Sequence, residues 1–194
     1  MIDFPTLSMV EIGMLAAIVV VLAASIAIFF SLRKRRTARL RAKFGGAEYA
    51  RTVQMDGNQR HAEKALQGRA ERVGGFHVGT LAAEDRLRYV GTWRDIQARF
   101  MDSPAGAVAE ADQLLRTVMS SLGYPVSDFE QRAADLSVGY PLVIANYRSA
   151  HEIALRQAEG KASTEELRQA MVHYRTLFEE LVSESKVVAA KAGD

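Results

Sequence analysis

The chain has 194 residues, a formal net charge of +2 and no cysteine, which is the size of one domain or of a smaller domain with an appendage. Hydrophobic residues make up 48% of the chain and charged residues 25%, so an intrinsically disordered or collagen-like chain is excluded. The lack of cysteine excludes a disulfide scaffold, a zinc knuckle and a thiol nucleophile, and it leaves the redox compartment open.

Residues 12–32 form an apolar segment without a charge, bounded by Glu11 and Arg33. This length is what a helix needs to cross the roughly 30 Å hydrocarbon layer of a membrane, and the segment lacks the polar stripe of a soluble helix. A cleaved signal peptide is the alternative, but it requires a basic start, and the start here carries Asp3 and Glu11. We therefore expect a transmembrane helix at 12–32 after a short extracytoplasmic N-terminus at 1–11.

A basic collar follows the apolar segment and consists of Arg33, Lys34, Arg35, Arg36, Arg39, Arg41 and Lys43. Because basic flanks stay on the cytoplasmic side, we expect the N-terminus outside and residues 33–194 in the cytoplasm. The collar is also a candidate for contact with anionic lipid headgroups. Without the collar and the two acids of the N-terminal tail, 18 basic and 21 acidic residues remain in 44–194. The basic excess therefore belongs to the membrane anchor, and no nucleic-acid partner is expected.

The rest of the chain has helical periodicity and no sustained strand-like alternation. Gly45-Gly46 predicts a hinge at the end of a juxtamembrane segment, 33–46. A helix is then predicted from Ala47 to about Val73, weakened by Gly57, followed by a loop. The next two helices are predicted from apolar positions three or four residues apart, which are Leu87, Val90, Trp93, Ile96 and Phe100, then Val108, Ala111, Leu115, Val118 and Leu122.

Capping signals divide the second half of the chain. Ser103-Pro104 predicts a helix start, and Ser127 with Glu130 and Ser163 with Glu166 form capping-box patterns. The last two long helices are predicted from the apolar faces Ile144, Tyr147, His151, Ala154 and Ala158, then Leu167, Met171, Tyr174, Phe178 and Leu181. The expected fold is all-α, with the transmembrane helix followed by a cytoplasmic bundle of about four to six helices at 47–185 and a frayed tail at 186–194.

We predict no catalytic residue, no metal ligand and no cofactor. His151-Glu152 begins like the zinc-protease motif H-E-x-x-H, but Leu155 replaces the second histidine. No histidine lies three residues after a glutamate, as bundle di-iron sites require. The glycine-rich segment at 74–80 lacks the lysine of a phosphate-binding loop. Aromatic residues such as Trp93 and Phe178 are expected in the core, or in a groove for a partner helix.

Several stretches resemble an uncharacterised family of bacterial proteins that join an N-terminal membrane segment to a helical region. They are EADQLLRTVM, GYP at 123–125, FEQRAADLSV, YRSAH and TEELRQAMVHYRTLFEEL, and the resemblance covers roughly 44–182. The resemblance implies a bacterial source and a location in the plasma membrane. It does not point to any activity or ligand. It also suggests a shared polar network of Glu130, Arg132, Asp135, Arg148, His151 and Arg175, for which buried salt bridges are the simplest explanation.

Three functions follow from these features. The first is a single-pass membrane protein, not an enzyme, whose cytoplasmic bundle is an interaction or scaffolding module, with the lipid bilayer and either a protein partner or a second copy as its partners. The alternative is a membrane-tethered enzyme or small-molecule sensor with a site around Arg132, Asp135, His151 and Arg175. The third is a peripheral lipid or envelope-organising role through residues 33–43.

Overall fold

A computed structural model describes residues 9–125 and 127–191. Within these ranges the chain is helical and contains no strand, which confirms the all-α class. The helices are α1 (Met9–Asp56), α2 (Gln59–Gly74), α3 (Ala83–Arg99), α4 (Pro104–Ser121), α5 (Phe129–Gly139), α6 (Ile144–Ala158) and α7 (Thr164–Lys191). α7 extends into the segment that was predicted to fray, and residues 1–8 of the N-terminus and 192–194 of the tail lie outside the described residues.

α1 joins the apolar segment, the basic collar and the three turns that follow the collar in one element. Every side chain from Ala17 to Leu32 is exposed. Among the described helices, α1 is the one that is long and apolar enough to cross a membrane. Such a continuous exposed apolar surface is far larger than the patches found on soluble monomers.

A bend at Gly45 separates this part of α1 from the rest. Gly45 has a φ of 72° and a ψ of 157°, a conformation that glycine adopts without the steric cost of a side chain. A Cβ at this position would also come within 3.4 Å of the carbonyl oxygen of Pro141. The bend lies at the first glycine of the predicted hinge and directs the following turns of α1 toward the bundle.

The prediction of one helix from Ala47 to Val73 is wrong, because the chain turns between Asp56 and Gln59. Gly57 has a φ of 62° and ends α1. Asn58 caps α2, and its side-chain oxygen accepts hydrogen bonds from the backbone N–H groups of Arg60 and His61. An asparagine cap after a glycine in this conformation is a common helix boundary.

Two separate hydrophobic cores hold the helices together. The main core is formed by the five helices from α3 through α7. In it, the rings of Trp93 and Phe178 stack with centroids 4.9 Å apart. All five apolar positions predicted for α4 are buried, whereas Leu87 of α3 is exposed and Tyr89 is buried in its place. Ala158, at the end of the predicted face of α6, is also exposed.

The small core belongs to the bent end of α1 and to α2. It consists of the buried residues Phe44, Tyr49 and Leu66, with Leu40, Val53, Ala70 and Val138 packed around them. Val138 lies on α5, so this cluster reaches the bundle at one point. Ion pairs also join α1 and α2 to α5 and α6.

The two capping-box predictions had different outcomes. At α7 the pattern is confirmed, because the Ser163 backbone N–H donates to Glu166 Oε2 at 2.7 Å and the Glu166 N–H donates to Ser163 Oγ at 3.3 Å. At α5 it is wrong, because Asp128 is the cap and accepts from the N–H of Gln131 at 2.9 Å. The Glu130 carboxylate turns instead to Arg148.

Candidate functional site: an ion-pair layer and the clefts around it

Charged side chains fill the space between the small core and the bundle. Glu48, on α1 after the bend, is buried and accepts from Arg69 of α2 at 2.9 Å and from Arg148 of α6 at 3.2 Å. Arg148 also donates to Glu130 of α5 at 2.9 Å, and Arg51 lies 3.4 Å from the same carboxylate. These five residues form a continuous chain of alternating charge through four helices.

Asp135 of α5 forms a second connection to α2. Its Oδ1 accepts from Nε and one terminal nitrogen of Arg72 at 3.0 and 2.6 Å, and from Gln131 at 2.8 Å. Together the five linked residues, Asp135 and Arg72 make up what we call the ion-pair layer. Buried carboxylates require such partners, because an unpaired charge in a low-dielectric interior is strongly destabilising.

A third buried carboxylate, Glu63 of α2, lies between α2 and α1, which together we call the α1–α2 unit. Its Oε1 accepts from Thr37 at 2.7 Å, Tyr49 at 2.9 Å and Gln59 at 2.9 Å. Burial alone raises the pKa of this carboxyl, but the three donors and nearby Arg36 outweigh it and lower the pKa of Glu63 below its ordinary value. Glu63 therefore stays ionised and fixes α2 against α1.

The six residues predicted to share a polar network do not form one network. Glu130 and Arg148 pair with each other in the ion-pair layer, and Asp135 belongs to the same layer through Arg72 rather than through any of the other five. Arg132 donates to the Tyr147 hydroxyl at 3.3 Å and to the Ser127 carbonyl. Arg175 lies on α7 and pairs with Glu179 at 2.7 Å.

His151 lies in a surface cleft of about 440 Å³ beside the ion-pair layer. Its ring stacks on Phe129 with centroids 3.5 Å apart, and Arg51, Glu130 and Arg148 line the same cleft. Burial lowers the pKa of His151, and Arg132 adds to this effect while Asp112 opposes it. Of Arg132, Asp135, His151 and Arg175, which were the proposed sensor site, His151 is the one that lines this cleft.

A groove with two adjoining parts runs between α3 and α7, which both pack on α4. One part, of about 390 Å³, has an apolar floor that includes Trp93 and Phe178 and a rim that includes Arg94 and Arg175. A second part, of about 190 Å³, shares Gln97 and Arg175 with the first and adds Phe100, Met171 and Val172. Trp93 and Phe178 therefore contribute both to the core and to what we call the α3–α7 groove.

The basic collar lies on the part of α1 between the apolar segment and the bend. Its side chains are exposed, apart from half-buried Arg33, and they point to several sides of the helix. Arg36 donates to Gln67 of α2, and the guanidinium of Arg41 lies over the ring of Tyr49, 4.9 Å from its centroid. Two residues of the collar, Arg36 and Arg41, thus contact side chains of the α1–α2 unit.

Several of these residues were not predicted from the sequence to form buried polar contacts, chief among them Glu48, Glu63, Arg69 and Arg72. Glu63 precedes Leu66 by three residues and Ala70 by seven, and this spacing places its carboxylate on the apolar face of α2. Glu48 likewise follows Phe44 by four residues. A charged residue at an apolar register position is therefore a usable signal for a buried ion pair.

Within the described residues, no group of three or more histidine, aspartate or glutamate side chains is placed to hold a metal ion. Compared with protein-family models, with curated proteins and with solved structures, the chain shows no match.

Proposed function

We propose that the chain is a single-pass protein of a bacterial plasma membrane, with residues 12–32 as the transmembrane helix. The observation that carries this proposal is the exposure of every side chain from Ala17 to Leu32. In water that surface would carry a large hydrophobic penalty, whereas in lipid the helix satisfies all its own backbone hydrogen bonds. The basic collar supports an outside N-terminus and a cytoplasmic bundle.

Fusions of a reporter pair to the C-terminus test this topology. Alkaline phosphatase is active outside the cytoplasm, and green fluorescent protein folds and fluoresces inside it. The expected result is fluorescence without phosphatase activity, and the same fusions with the collar neutralised should shift toward phosphatase activity. Phosphatase activity of the unaltered chain, or its release from membranes by alkaline carbonate, would overturn the proposal.

The cytoplasmic bundle, in this proposal, is a module for protein interaction or scaffolding. Its support is the α3–α7 groove, which combines an apolar aromatic floor with a rim of charged and polar side chains, the composition of grooves that accept an amphipathic helix. The buried charges of the ion-pair layer, by contrast, are all paired within the chain. The partner is a second copy or another protein.

Site-specific photocrosslinking in intact membranes tests the groove. Gln97 lines both parts of it, and neighbouring Ala98 is exposed on α3 without lining either part. A benzophenone side chain at position 97 should give a discrete adduct, and the same probe at position 98 should not. An adduct of twice the chain mass identifies a second copy, and any other discrete mass identifies a different partner. Equal adducts at both positions, or none at position 97, would contradict this use of the groove.

A further inference from the structure

The start of α2 folds back against the membrane-proximal part of α1 and forms a cleft with it. Three hydrogen bonds hold the two helices together here, from Thr37 to Glu63, from Gln59 to Thr37 and from Arg36 to Gln67. The cleft has a volume of about 510 Å³. It lies where the apolar part of α1 gives way to the basic collar.

The side chains that line this α1–α2 cleft change from apolar to basic along α1. Phe29 and Leu32, both exposed, lie at one end, and Arg33 and Arg36 follow. The rise from Phe29 to Arg36 is about 10 Å, which is comparable to the roughly 5–8 Å depth of the headgroup layer outside the hydrocarbon core. The cleft is therefore apolar at acyl-chain depth and basic at headgroup depth.

Two further basic residues come from α2. Arg60 and Lys64 are one helical turn apart and line the same cleft. Within the described part of the chain, Arg33, Arg60 and Lys64 form no ion pair. Glu63 is the one acidic residue of the lining, and its Oε1 is occupied by Thr37, Tyr49 and Gln59. The cleft therefore keeps an excess of positive charge.

We propose that the α1–α2 cleft binds the headgroup of an anionic phospholipid from the cytoplasmic leaflet, with its acyl chains along Phe29 and Leu32. The four basic side chains contact the phosphate from two helices, which distinguishes the cleft from a continuous basic flank that attracts anionic lipid without a fixed position. Arg60 and Lys64 lie beyond the collar in sequence and are brought to it by the bend and the turn before α2. The proposal rests on the membrane insertion proposed above.

Spin-label electron paramagnetic resonance on the full-length chain in vesicles of phosphatidylcholine tests this. The probe is spin-labelled phosphatidylglycerol, and spin-labelled phosphatidylcholine is the neutral reference. The variant R60Q/K64Q should lower the association constant of the anionic probe, relative to the neutral one, by about tenfold. The matched control R35Q/R39Q loses the same charge from exposed collar positions that do not line the cleft, and it should stay within about twofold of the parent chain.

The charge-conserving variant R60K/K64R should keep the selectivity of the parent chain. Equal losses in R60Q/K64Q and in the control, or no loss in either, would overturn the proposal in favour of general collar attraction. Displacement of the anionic probe by millimolar sn-glycerol 3-phosphate would show a site for soluble phosphate instead. A chain that alkaline carbonate extracts from the vesicles would refute membrane insertion itself, whereas an embedded chain without selectivity would refute the cleft alone.

Discussion

Arg148 is the residue at which the ion-pair layer is most easily tested. Its side chain is 8% exposed and that of Glu48 is 2% exposed, so water cannot replace the lost interaction in the variant R148M. Two unit charges 4 Å apart attract by about 4 kcal/mol at an effective dielectric constant of 20. Arg69 remains 2.9 Å from Glu48 and offsets part of that loss. We expect R148M to lower the free energy of unfolding by about 2–3 kcal/mol, somewhat below the range for a fully broken buried pair.

Urea unfolding of the full-length chain in detergent micelles measures this change. The single tryptophan, Trp93, reports on the main core, where it stacks on Phe178. Hydrogen exchange of the α2 amides reports on the small core, which we expect to open first in R148M.

A control variant and a double variant separate the ion-pair layer from surface charge. R168M breaks the exposed pair between Arg168 and Glu165 and should leave the urea midpoint unchanged. The double variant E48Q/R148M should lose less stability than the sum of its two single variants, because they share one interaction. Wild-type stability and wild-type α2 protection in R148M would refute the reasoning that this layer fixes α1 and α2 to the bundle.

Three further predictions concern the turn after α4 and two titrating groups. G123A places a Cβ in steric conflict with the His77 carbonyl oxygen, at a φ of +93°, and circular dichroism melting should show a loss of about 2–3 kcal/mol in the free energy of unfolding. G91A, where nothing lies within 4 Å of the added Cβ, should not destabilise α3. Because the folded pKa of His151 lies below the unfolded value of about 6.5, stability is complete above that pH and falls as the pH drops through the lower folded value. The melting temperature of H151F should fall less than that of the parent chain between pH 7.5 and 5, and parallel profiles would contradict this. The lowered pKa of Glu63 similarly adds stability above about pH 4.3 that is lost on acidification, and E63Q should flatten the stability profile below pH 5.

The helical fold follows from local signals that the sequence contains. The apolar faces of α4 and α7 were predicted residue by residue, because burial against one neighbouring layer imposes a three-or-four spacing. Pro104 and the pair of Ser163 and Glu166 marked helix starts correctly, because these caps depend on residues within one turn. The same logic failed at Ser127, where Asp128 was an equally good cap one residue later and Glu130 had a stronger partner elsewhere.

The ion-pair layer depends on information that periodicity does not carry. Periodicity assigns Arg148 to a helix face, but its partner Glu48 lies 100 positions away. The pairing depends on the bend at Gly45 and on the turn at Gly57, which together return α1 and α2 to the bundle. The grouping of Arg175 with His151 failed for the same reason, because shared polarity in sequence blocks does not place two residues on one side of a bundle.

In the proposed membrane orientation, the bend at Gly45 also has a consequence for how the bundle moves with the membrane helix. The helix from Arg33 to Phe44 rises about 17 Å, and in the proposed orientation the start of α2 returns to the level of the collar. α2 is hydrogen-bonded to α1 before the bend, and the ion-pair layer joins the turns after the bend to the bundle. We therefore expect rotation of the proposed membrane helix about its axis to turn the α3–α7 groove with it. A partner that is itself membrane-bound would meet this groove at one fixed height and search for it in two dimensions.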